Sequence, residues 1–123
     1  DGDAIVFTWG QPYEPFAEES HSIAGAAAYD PVTDAWTTLA EPPVQDRMTL
    51  GAHRLGGAHV AFWGGHPALG DGDFWETLHD GAAWDAVAGD WQVISDFGLP
   101  GTYRSELSTW SANGRLYVWG GTN

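Results

Sequence analysis

The chain has no cysteine, no lysine, no basic cluster at its start and no apolar stretch near the ~20 residues that cross a bilayer. Each absence closes a class of function. Without cysteine there are no disulfides, thiolate metal sites or thiol nucleophiles, although the compartment stays open because cysteine-free proteins occur on both sides of a membrane. Without lysine, four arginines stand against 17 Asp and Glu, a net charge of -13. That balance argues against any partner held through phosphates or anionic head groups, so neither nucleic acid nor membrane is expected. The opening DGDAIVFTWG lacks the basic residues of a signal peptide, and any targeting segment is expected to lie outside this sequence. A lysine-free acidic surface suits a GC-rich genome or a salty milieu; the localisation is left unknown, with a lean to secreted or periplasmic in a bacterium.

What is present is aromatic and repetitive. The 123 residues are 14% aromatic and 43% apolar, enough for the core of one domain. An apolar run closes on Trp-Gly-Gly twice, in AHVAFWGG and GRLYVWGG, and imperfectly in AIVFTWGQ. Trp9, Trp63 and Trp119 are thereby spaced 54 and 56 residues apart. GAAAYDPVTDAWTTL at 25–39 aligns with DGAAWDAVAGDWQVI at 80–94 at an offset of 55, matching Tyr29 to Trp84, Asp30 to Asp85 and Trp36 to Trp91. EPPVQDRMTL and DFGLPGTYRSEL align at 57, matching Pro43 to Pro100, Arg47 to Arg104 and Leu50 to Leu107. Such spacing marks an internal repeat, with its slips falling in loops.

Within each unit the signals are those of short antiparallel strands. β-prone runs are broken by glycine pairs, PVTD and AVAGD suit tight turns, and LGG at 55–57 and NG at 113–114 suit hairpins. The expected fold class is all-β. Nine strands are predicted, at about 4–9, 25–30, 34–40, 47–55, 58–64, 81–86, 90–95, 105–111 and 115–120. Four strands per 55 residues is the unit of a β-propeller blade.

The order of apolar run, Gly-Gly, loop, Tyr-Asp-Pro, Trp, then proline and arginine resembles the kelch repeat. The residues that carry the resemblance are Gly64-Gly65, Gly120-Gly121, Tyr29-Asp30-Pro31 with Trp36, Trp84-Asp85 with Trp91, and Arg47 and Arg104. Departures are Gly10-Gln11 in the first doublet and Trp84 and Ala86 in place of tyrosine and proline. The resemblance implies a kelch-type β-propeller of radially arranged four-stranded antiparallel sheets, in which the glycine doublet ends the second strand and Trp36 and Trp91 fill the space between sheets. Trp9, Trp63 and Trp119 are expected to be structural too.

On that reading 1–46 is a partial blade of three strands, 47–104 a complete blade, and 105–123 the first two strands of another. One chain then holds an incomplete ring, and its open faces call for neighbours. Three arrangements fit: a piece of a longer propeller, self-association into a composite ring, and an open stack.

Function is expected from loops, because one fold hosts many functions. QPYEPFAEESHSIA at 11–24 and HPALGDGDFWETLHD at 66–80 are long, acidic and aromatic. Glu18, His21, His66 and Trp75 are the candidate ligand contacts there, against the plainer reading of a solvated surface whose aromatics tuck the loop down. Asp71, Asp73 and Glu76 offer oxygen donors suited to calcium, and His66 and His79 would suit a transition metal. No other cofactor is expected. His53 and His59, in predicted strands, are read as structural. Arg47 and Arg104 recur at one repeat position, read either as a structural salt bridge or backbone carbonyl contact, or as recognising a ligand carboxylate. No catalytic constellation is found: no nucleophile elbow, no phosphate loop, and no cysteine for the cross-linked copper site of kelch-like oxidases. The expected function is a binding or assembly scaffold recognising a protein or peptide, or a small hydroxylated ligand. The alternative is a sugar-binding or sugar-processing propeller fragment.

Overall fold

A computed structural model describes residues 4–7, 25–48, 51–67, 77–96 and 105–122, with the backbone alone at 4–7, 48, 105–107 and 121–122. The strands are β1 (Ala4–Phe7), β2 (Ala26–Asp30), β3 (Ala35–Thr38), β4 (Arg47–Met48), β5 (Gly51–Gly56), β6 (His59–Trp63), β7 (His66–Pro67), β8 (Gly81–Asp85), β9 (Asp90–Ile94), β10 (Ser105–Ala112) and β11 (Arg115–Thr122). The described residues contain no helix, and every strand pair is antiparallel. The chain is all-β.

The strands form a three-stranded sheet β1-β2-β3, a four-stranded sheet β5-β6-β8-β9, a hairpin β10-β11 and the short pair β4-β7. Among the described residues there are eleven strands in place of the nine expected. The predicted strand 47–55 is divided into β4 and β5, and β7 lies at the start of the predicted loop 66–80. The reason is local: β4 turns aside to pair with β7, Arg47 opposite Pro67, while β5 runs along β6. Proline is tolerated in so short a strand because it gives up only one ladder donor.

The internal repeat is visible as pairing register. Tyr29 stands opposite Trp36 and Ala28 opposite Thr37; 55 residues later Trp84 stands opposite Trp91 and Ala83 opposite Gln92. The turns repeat as well. Asp30 Oδ1 accepts from the Val32 N–H at 2.8 Å and Asp85 Oδ1 from the Val87 N–H at 2.8 Å. Asp34 and Gly89, the matching last turn residues, both have positive φ, 54° and 73°. One equivalence differs from the expectation. Phe7 stands opposite Ala26 as Trp63 stands opposite Gly81, so the partner of Trp63 in the first sheet is Phe7 and not Trp9.

The four-stranded sheet is packed on both faces. Phe62 and Ala61, neighbours in β6 that point to opposite faces, are both fully buried. On the Phe62 face lie Trp84 and Trp91, 5.2 Å between ring centroids, and Trp91 Nε1 donates to the Ala40 carbonyl that follows β3. On the other face His53 Nε2 meets Thr109 Oγ1 at 2.6 Å, where β5 packs against β10 and β11. His53, half-buried, thus has a side-chain partner, and His59 lies 3.2 Å from the Asp85 carboxylate.

Two tryptophans depart from their expected roles. Trp36 is 57% exposed and Trp119 72%, whereas Trp63 is 4% exposed. Among the described residues no further sheet packs on the outer faces of the first sheet and of the hairpin, where Trp36 meets Tyr29 and Trp110 meets Tyr117. Trp91, by contrast, does bridge adjacent sheets.

Candidate functional site

The connections divide cleanly between the two ends of the sheets. Tight turns at 31–34, 57–58, 86–89 and 113–114 join strands at one end. Asn113 and Gly114, at φ 51° and 74°, form the primed turn that Asn-Gly favours. All longer connections leave from the other end: 8–25 between Phe7 and Ala26, 64–80 between Trp63 and Gly81, and 39–50 and 95–104 after Thr38 and Ile94. These four connections carry ten of the chain's 17 acidic residues and only Arg47 and Arg104 as fixed cations.

Arg47 is the centre of what can be described at that end. It is 1% exposed, the largest fully buried polar side chain of the described residues. Its Nε donates to the Gln45 carbonyl at 3.0 Å, and Nη1 donates to the carbonyls of Gly64 at 3.2 Å and Asp80 at 2.9 Å. Nη1 also lies 2.8 Å from Asp80 Oδ1, while the guanidinium carbon sits 5.6 Å from the Phe62 ring centroid. The contact to Oδ1 is an ion pair by distance and not an aligned hydrogen bond, because the Nη1 hydrogens already face two carbonyls; Oδ1 and Nη2 are buried without hydrogen-bond partners. Arg47 therefore makes the contacts of the structural reading, carbonyls and a carboxylate, and keeps its Nη2 donors uncommitted.

The glycine doublet makes this arrangement possible. Gly64 and Gly65 have φ of 81° and 95°, a backbone that residues with a Cβ rarely adopt. They swing the chain off the end of β6 while the Gly64 N–H still bonds the Asp80 carbonyl at 2.9 Å and the Gly65 carbonyl accepts from the Leu78 N–H at 2.8 Å. In the last repeat Gly120, at φ 80°, and Gly121 lie inside β11 and do not end the strand as expected. Beside the doublet, His79 stacks on Trp63 with centroids 6.3 Å apart and hydrogen-bonds the buried Thr77 hydroxyl through Nε2 at 2.9 Å. His66 is half-buried in β7, opposite Met48.

Of the sequence-derived candidates, Arg47 and His66 are therefore brought to one end of one sheet. Glu18, His21, Trp75, Arg104, Asp71, Asp73 and Glu76 lie outside the described residues. Among the described residues no group of three or more His, Cys, Asp or Glu could hold a metal ion. Asp80, Thr77 and His79 were not foreseen as members of the Arg47 surroundings. The available signal was scarcity: a recurrent arginine in so acidic a chain needs an acid, and Asp80 closes the loop that follows the doublet.

This chain matches no protein-family model and no curated protein.

Proposed function

We propose that this chain is a segment of kelch-type β-propeller blades acting as a binding or assembly scaffold, with its ligand taken by the acidic-aromatic connections. One observation carries the reading: equivalent strands of the repeat send all their long connections from one end, leaving only tight turns at the other. Both faces of the four-stranded sheet are consumed by packing, so its variable segments are the ones free for recognition. The charge of that end favours a cationic partner, of which a basic peptide is the simplest. Arg47 holds the base of one such connection in place through the Gly64 and Asp80 carbonyls.

The test is titration of the 123-residue chain with an arginine-rich peptide, an acidic peptide of the same length and a set of monosaccharides, read by tryptophan fluorescence and thermal shift. Saturable binding of the basic peptide, weakened by salt and by Glu18→Gln and Asp71→Asn, supports the scaffold reading. Dose-dependent stabilisation by a monosaccharide alone would replace it with the sugar-binding alternative, and no response to any of them would sink both.

A further inference from the structure

The repeat lets each sheet face be compared with its equivalent elsewhere in the chain, and two equivalents differ sharply in cover. The pairing Gly51 opposite Trp63 and His53 opposite Ala61 corresponds to Ser108 opposite Trp119 and Trp110 opposite Tyr117. In the four-stranded sheet this face is closed: Ala61 is 0% and Trp63 4% exposed, and His53 reaches Thr109 of the hairpin. In the hairpin the same face is open. Trp119 is 72% and Trp110 45% exposed, with Trp110 stacked on Tyr117 at 5.3 Å and 6°.

The opposite face shows the converse. In the four-stranded sheet Trp84 is buried and Trp91 is tied to Ala40 of the preceding unit. In the first sheet the equivalent pair, Tyr29 and Trp36, packs ring on ring at 5.0 Å with Trp36 mostly exposed. Inside the chain, then, the hairpin's inner face covers the outward face of the sheet before it, and that sheet's other face is tied to the first unit by the Trp91 bond to Ala40. The two faces left bare are the two halves of that same recurring contact.

We propose that they cover one another between copies: the Trp110, Tyr117 and Trp119 face of one chain docks on the Tyr29 and Trp36 face of the next. The occupant is a second copy of this chain because the internal contact already demonstrates the complementarity of the two kinds of face. The contact is heterologous, head to tail, so it propagates to a ring or an open stack and does not stop at a symmetric dimer. The inference rests on the assembly half of the reading above. Salt distinguishes the failure of one from the failure of the other: ligand capture by the acidic end weakens with salt, whereas apolar docking between chains of charge -13 strengthens as their repulsion is screened.

The experiment is sedimentation of the wild-type chain over a wide concentration range at low and high salt, followed by Trp119→Ser and Trp36→Ser separately and mixed. Wild type is expected to form multiples of 13.2 kDa that grow with concentration and salt. Each variant alone is expected to be monomeric, with far-ultraviolet dichroism unchanged because both rings are exposed. Their mixture is expected to give a dimer and nothing larger, since each variant contributes the face the other lacks. Wild type that stays monomeric at every concentration overturns the proposal and assigns the faces to another partner. Variants that still self-associate, or a folded mixture that fails to dimerise, overturn it as well. Trp110→Ser, mixed with Trp36→Ser in the same way, gives an independent reading should Trp119→Ser not fold.

Discussion

Trp91 donates its indole N–H to the Ala40 carbonyl oxygen at 2.7 Å, a bond spanning 51 residues that ties the four-stranded sheet to the chain leaving the first sheet. Its repeat equivalent Trp36 packs against Tyr29 and is otherwise 57% exposed. Trp91→Phe keeps a ring but leaves the carbonyl without its donor, and a loss of roughly 0.5–1.5 kcal/mol in chemical denaturation is expected. Trp36→Phe is expected to change stability by less than about 0.5 kcal/mol. Equal effects of the two substitutions would mean that the inter-sheet bond contributes nothing.

Gly81 tests how closely β8 approaches β6. A Cβ built there collides with the Phe62 carbonyl oxygen and comes within 2.8 Å of Trp63 Cα. Both contacts are backbone, so the strands themselves have to shift. Gly81→Ala is expected to cost about 1–3 kcal/mol, measured as the shift in denaturation midpoint at unchanged slope. The first sheet carries Ala26 at the equivalent position, so Ala26→Gly is not expected to return a comparable gain.

Arg47→Ala removes the donor to three carbonyls and leaves the Asp80 carboxylate beside an empty space. A loss of roughly 1–3 kcal/mol is expected, as for buried acceptors that lose their donor, the Asp80 side chain being 38% exposed. Arg47→Lys is expected to recover only part of it, because an ammonium cannot span the Gln45, Gly64 and Asp80 carbonyls with a planar fork. Full recovery by lysine would show that charge alone matters at this position.

Acid is expected to act in two stages. Burial lowers the His53 pKa below its ordinary 6.5, so the unfolded chain binds the proton more tightly and stability falls as pH drops below that value. Asp85 is held below the ordinary 3.8, first by the Ala88 and Val87 N–H groups and then by His59. Its contribution is present above 3.8 and disappears as pH falls through the lowered value. Thermal melts of wild type and His53→Gln should diverge between pH 7 and 5, and Asp85→Asn should flatten only the most acidic part of the curve.

The sequence made the hairpins plain because their signals are local. Asn113-Gly114 needs positive φ, and the PVTD and AVAGD turns are each preceded by an aspartate, Asp30 and Asp85, that accepts from the backbone N–H two residues on. The offset of 55 was legible for the same reason, since strand, turn and strand keep constant length. Equivalence between Trp9 and Trp63 was misleading because the register of β1 is set across the sheet by Ala26 and Tyr29, contacts that letter matching does not contain. The short β4-β7 pair joins residues 18 and 20 apart and the Arg47 to Asp80 contact residues 33 apart, through a backbone turned by two glycines. Only the fold brings them together. Exposure of Trp119 was hidden similarly: whether a ring is covered depends on which sheet lies outside it.

The burial of Arg47 has a practical side. In a chain without lysine, trypsin has four sites, and the one after Arg47 is shut inside carbonyl contacts while Arg54 and Arg115 stand at the surface. Cutting at the Arg47–Met48 bond requires β4 to leave β7 and the guanidinium to leave its pocket. The fragment ending at Arg47 is accordingly a built-in clock, its rate of appearance recording how often the acidic end of the molecule opens.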